Sequence, residues 1–146
     1  MNYILDTDIV SNILNKKSPH RDKILQKMQL YSPRQIYISV FTKCELYFGL
    51  ERVDKRKNEY RVLLAKSIDN FVTRINVLDL SPEFAQVYAR VRAGLVSKGN
   101  DIGVIDCMIA AQSITHNFTL VTHNLRHYKR IQNLDGFSKF KLADWV

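Results

Sequence analysis

Apolar residues along the chain switch repeatedly between the two-residue period of strands and the roughly 3.6-residue period of helices. Asn2 to Leu5 predicts a short buried strand ending at Asp6, after which Ile9, Ile13 and Leu14 recur at helical spacing. Ser18-Pro19 supplies an N-cap and a first-turn proline for a second helix carrying Ile24, Leu25 and Met28. Ile36, Ile38 and Val40 alternate with Tyr37 and Ser39 as the next strand, and Thr42 to Leu50 reads as a helix closing near Gly49. Arg52 to Asp69 predicts a charged amphipathic helix, and Ile75 to Leu78 a strand. Ser81-Pro82 opens the clearest helix, with Phe84, Val87, Tyr88, Val91 and Leu95 on one stripe and Gly99 as its stop. A helix from Val104 to His116, a strand from Phe118 to Val121 and an edge strand near Phe140 to Trp145 complete the pattern. Strands and helices alternating in this way predict an α/β fold around a central, mostly parallel sheet. A length of 146 residues accommodates one such domain, residues 1–146, rather than two.

Composition narrows the function classes. The longest apolar run, Cys107 to Ala111, falls far short of the roughly 18 residues of a membrane span, so a soluble, cytoplasmic protein without a membrane role is expected. Cys44 and Cys107 form no CxxC pair, which excludes a disulfide framework and a four-cysteine zinc site and casts both as small core residues. Twenty-two Lys and Arg against 14 Asp and Glu leave a net charge of +8, the balance of a protein with a polyanionic partner. The basic residues cluster at Lys16 to Lys23, at Arg52 to Arg61 and from Arg126 to Lys141. Tyr31, Tyr47, Phe48 and Tyr60 lie nearby as stacking partners for the bases of RNA.

In an open parallel sheet, ligands bind beyond the carboxyl ends of the strands. Four polar residues follow predicted strands there: Asp6, Glu45 in the first turn or so of its helix, Asp106 near the start of the penultimate helix, and Asn124. Two carboxylates about 4 Å apart repel by roughly 4 kcal/mol at an effective dielectric near 20, so their convergence demands a counter-ion. Oxygen donors of this kind suit Mg²⁺ or Mn²⁺. His123 and His127, four residues apart, offer a rival zinc pair that lacks a third ligand.

The opening Tyr3-Ile4-Leu5-Asp6-Thr7-Asp8-Ile9-Val10, the helix Thr42-Lys43-Cys44-Glu45-Leu46, the stretch from Ile102 to Ala111 around Asp106, and Leu120-Val121-Thr122-His123-Asn124 resemble, in order and spacing, the PIN-domain nucleases. The likeness is greatest to the VapC-type toxins of toxin–antitoxin pairs, and it continues to Leu142-Ala143-Asp144-Trp145. It implies a PIN-like α/β/α sandwich and a metal-dependent endoribonuclease that leaves a 5′-phosphate. It also implies a homodimer and a cognate antitoxin that covers the basic groove. Asp6, Glu45 and Asp106 would then hold Mg²⁺ or Mn²⁺, with Asn124 completing the catalytic set. The sequence departs from the pattern at Asp8, where Asn is common, and at Asp101, where Pro is common. Asn124 stands where many relatives have Asp, and His127 where an acid often follows. Asp8, Asp101 and His127 are thus further candidates for the site. Thr7 and Thr122, beside two of the acids, are candidates to hydrogen-bond them.

Two other readings stay open on the residues. Asp6-Thr7-Asp8-Ile9-Val10 also fits the signature of haloacid-dehalogenase-like phosphatases, with Asp6 as nucleophile and Asp101 and Asp106 as the later acidic pair. The other is a catalytically inactive RNA- or partner-binding module on the same fold. The Phe84/Tyr88/Leu95 stripe and the Arg52 to Lys66 helix are candidates for packing or partner contact.

Overall fold

Five short parallel strands make one sheet in the order β3-β2-β1-β4-β5 in the computed structural model, which describes residues 1–146. They are β1 (Tyr3–Leu5), β2 (Ile36–Ser39), β3 (Asn76–Leu78), β4 (Thr119–Val121) and β5 (Leu142–Ala143). Seven helices surround them: α1 (Thr7–Leu14), α2 (Arg21–Met28), α3 (Val40–Glu51), α4 (Asn58–Val72), α5 (Phe84–Ser97), α6 (Val104–Thr115) and α7 (Leu125–Gln132). Strand residues alternate between two cores, as the pleat requires. Ile4 and Leu120 pack with Val91, Leu95, Ile109 and Ile131 of α5, α6 and α7. Tyr3, Leu5, Ile38 and Val121 face Ile9, Ile24, Leu46 and Ile68 of α1 to α4. The expected α/β/α sandwich results, with both sheet faces covered and the central strand β1 buried along its whole length.

Element boundaries moved where side chains compete for the backbone. Ser18 does not cap α2: its hydroxyl donates to Asn12 and accepts from the His20 amide, and the helix starts only at Arg21. Ser81-Pro82 likewise belongs to the turn before α5, which begins at Phe84. The Asp54 carboxylate accepts from the Arg56 amide and guanidinium, so residues 52–57 turn and α4 starts at Asn58. Ser39, buried at the end of β2, accepts from the Phe41 amide and starts α3 at Val40 instead of Thr42. Gly99 does stop α5: at φ +66 it places the Asn100 amide on the Leu95 carbonyl and its own amide on that of Val96. The apolar pattern delimits no helix after Asn124, yet α7 forms there on the narrow stripe Leu125, Tyr128 and Ile131.

The stripe on α5 turns inward. Val91 and Leu95 are core, and Phe84 stacks between Phe41 and Tyr88. Of the two roles open to it, the stripe takes up packing within the chain. Tyr31 is engaged too, its ring 5.5 Å from Trp145 and nearly parallel to it, with Tyr3 tilted against both. That aromatic trio fastens the β5 end of the chain onto the β1 face. Trp145→Ala is expected to destabilise the fold by about 3 kcal/mol in urea titrations, and a loss below about 1 kcal/mol would show that the trio does not anchor this edge.

Candidate functional site

The order β3-β2-β1-β4-β5 reverses direction between β1 and β4, so the helices after these strands leave on opposite faces of the sheet and open a crevice at its carboxyl edge. Asp6 sits at that point. Its amide completes the ladder to the Val121 carbonyl (2.9 Å), and its carboxylate accepts from the Thr7 amide (2.8 Å) and the Thr122 hydroxyl (2.9 Å). It is the N-cap of α1, which aims the helix amides at it.

Asp8, in the first turn of α1, turns back toward the same edge. One of its oxygens accepts from the His123 amide (3.0 Å), while the other is buried without any partner. Glu45 lies in the second turn of α3 because that helix starts two residues earlier than its pattern predicts. Thr7 donates to it at 2.6 Å, an unusually short link between α1 and α3. Thr7 and Thr122 thus bond the carboxylates as expected. Asp106, in the first turn of α6, is half-buried and within the fields of Asp6, Asp8 and Glu45. Asn124 caps α7 with no side-chain cap bond; its amide donates to the Thr122 hydroxyl (3.0 Å).

Asp101 does not join. It pairs with Arg92 at 3.3 Å and accepts from the Gly103 amide, bracing the loop into α6. The phosphatase reading, which needs Asp101 beside Asp106 as an acidic pair, loses its support there. The zinc pair is split as well, since His123 Nδ1 meets Asp144 at 3.0 Å whereas His127 faces Asp106. Nor do the cysteines fit one description: Cys107 is buried, its thiol pushed up to about 11 by burial first, while Cys44 is exposed rather than core. Sequence reasoning missed Tyr128. It is fully buried beneath the acids, where burial first and then the charges of Asp6 and Asp106 keep its phenol protonated, and its hydroxyl has no hydrogen-bond partner within the chain. The i, i+3, i+6 spacing of Leu125, Tyr128 and Ile131 was the signal for it.

Burial, followed by the charges of Asp8 and Asp106, pushes Asp6 up to about 7 despite its two hydrogen bonds. Burial and then Glu45 push Asp106 up, opposed by His127. A hard cation fits this donor set: the ligands are oxygens, like charges crowd without relief, and a buried carboxylate oxygen of Asp8 is orphaned. No three of the chain's His, Cys, Asp and Glu side chains already stand around one common point at ligand distance.

Comparison with known proteins agrees with this fold. The PIN domain family model matches residues 3–133. The chain is 33% identical to Ribonuclease VapC2 of Rickettsia felis over 92% of its own length and 95% of that protein's. It is 28% identical to the tRNA(fMet)-specific endonuclease VapC of Salmonella typhimurium, over 99% and 98% of the two chains. A chain in the crystal structure of VapBC2 from Rickettsia felis bound to a DNA fragment from their promoter superposes with a TM-score of 0.80, at 30% identity and full coverage of both chains.

The charge crowding has a measurable sign. Asp6 titrates near 7 in the folded chain against an ordinary value of 3.8, so its stability cost is absent below pH 4, grows as pH rises and is complete above pH 7. Its ceiling is on the order of 4 kcal/mol. Asp6→Asn is therefore expected to raise the melting temperature in EDTA by about 5 °C or more at pH 8 and to leave it unchanged at pH 4. A variant that melts earlier at pH 8 would show that the bonds from Thr7 and Thr122 outweigh the repulsion.

Proposed function

This chain belongs to the PIN domain family, and on that premise we propose that residues 1–146 act as a single PIN-like nuclease domain. Its reaction is the metal-dependent endonucleolytic hydrolysis of RNA phosphodiester bonds, and its role is that of the toxin in a toxin–antitoxin pair acting in the cytoplasm. The observation that carries this reading is the convergence of Asp6, Asp8, Asp106 and Glu45 at the switch point of a protein whose net charge is +8. A polyanion is attracted to the molecule as a whole, while four of its 14 acids are concentrated at the point of reaction.

Asp6 and Asp106 would hold the ion, with Glu45 binding it directly or through water. When bound, Mg²⁺ or Mn²⁺ there lowers the pKa of water toward neutrality and neutralises developing charge on the phosphate. The chain's own groups do the positioning. Thr122 fixes Asp6 by donating to its Oδ2, and Thr7 fixes Glu45. Tyr128 closes the floor against bulk water. Asn124, with its side-chain amide free of the cap role, is the group available to orient the attacking water or the scissile phosphate. In-line attack on phosphorus then leaves a 5′-phosphate on one fragment. Arg126 and Lys129 are exposed on α7, which starts at the site, and suit the flanking backbone.

No helix is long and apolar enough to cross a membrane. Phe48, Tyr60 and Leu63 on α3 and α4 stay exposed, apolar surface of the kind that partner proteins cover, which fits an antitoxin and a homodimeric partner.

Binding and cleavage should separate. Asp6→Asn and Asp106→Asn are expected to lower RNA cleavage at least about a hundredfold while RNA affinity holds or rises. Affinity for RNA should fall with salt by about 0.7 log units per decade for each single-strand phosphate contacted. Measured side by side on one labelled RNA, wild-type cleavage rates in both variants would overturn the site. A wild-type chain that binds and never cleaves would establish the inactive module instead.

A further inference from the structure

His127 lies on α7 one turn beyond Asn124, held there by its own amide on the Asn124 carbonyl (3.1 Å). Its Nδ1 stands 3.7 Å from Asp106 Oδ2, beyond hydrogen-bond range. That nitrogen is buried and has no partner, although the side chain as a whole is 39% exposed. A buried ring nitrogen without a partner is costly and calls for an occupant between it and its neighbour. His123 is the internal contrast, because its Nδ1 is already taken by Asp144 at 3.0 Å. Two donors that share one ion, each roughly 2.1 Å from it, lie on the order of 3 to 4 Å apart, which is the spacing of His127 Nδ1 and Asp106 Oδ2. Two of the chain's orphaned buried polar atoms, on His127 and on Asp8, therefore border the same group of acids.

We propose that His127 is a direct ligand to the divalent cation of this site, setting one imidazole nitrogen among carboxylate oxygens. The inference rests on the reading of the acids as a metal site and deepens it. Mixed nitrogen and oxygen donors move preference from Mg²⁺ toward later divalent ions such as Co²⁺ and Zn²⁺, because imidazole suits those ions while carboxylate and water suit Mg²⁺. The ion is thereby tied to α7 as well as to α1 and α6, so that its binding also orders the helix that begins at Asn124.

The test uses the metal-stripped full chain loaded with Mn²⁺ and read by pulsed electron paramagnetic resonance, which detects a ¹⁴N nucleus bonded directly to the ion. Wild type is expected to show that coupling, His127→Gln and His127→Ala to lose it, and His123→Ala to keep it. By calorimetry, His127→Gln should weaken Co²⁺ binding at least about tenfold while Mg²⁺ affinity changes by less than about threefold. Asp6→Asn separates the two levels of the argument. If Mn²⁺ binding depends on Asp6 and no nitrogen coupling is seen, or if coupling survives in both His127 variants, the ligand role is overturned and the acidic site stands. If Mn²⁺ binds regardless of Asp6, or does not bind, the reading of the acids falls and the role of His127 with it.

Discussion

Mutual repulsion among carboxylates gathered at the carboxyl end of β1 is the constraint around which this molecule is built. Asp6 is buried, yet only two short hydrogen bonds and the first amides of α1 offset its charge, and Asp8 and Asp106 work against it. Such a cluster does not persist unless the surrounding scaffold over-determines it. The scaffold here supplies that from three directions. The β1 and β4 strands pin Asp6 and Thr122 to one register, α1 carries Asp8 and Thr7 inward, and the start of α3 at Ser39 brings Glu45 within reach of Thr7. Stability is given up at the site and recovered in two fully buried cores on either side of the sheet.

Most of the fold was legible because its signals are local. The alternation of strand and helix, the apolar β1 and the glycine stop of α5 are each written within a few residues. Failures arose where a polar side chain spent its hydrogen bonds elsewhere. Ser18 bonds Asn12 instead of capping a helix, and Asp54 folds Arg56 back into a turn. Helix α7 escaped notice because only two of its residues, Tyr128 and Ile131, are buried and most of the remainder is basic and polar.

The site was legible in kind but not in detail. Asp6, Glu45 and Asp106 fall within one another's fields at the switch point, and Asn124 reaches that edge through its backbone amide on Thr122. What no spacing reveals is orientation across the sheet. Asp8 belongs to the cluster and Asp101 does not, although each sits a few residues from a principal acid; the difference is that Asp8 finds the His123 amide while Asp101 finds Arg92. Tyr31 had the composition of a base-stacking residue, and its packing against Trp145 is decided by the C-terminal strand, more than a hundred positions away.

The hydrogen bond from Thr122 to Asp6 joins residues 116 positions apart in the chain, and the β1–β4 pairing that carries it has the same span. Closing so long a loop costs chain entropy, which the contacts between β1 and β4 must offset. The acids are present from the first strand onward, but the crevice exists only once β4 has docked. The consequence is architectural: the crevice is shared between the first and last fifths of the chain, so neither end carries it alone.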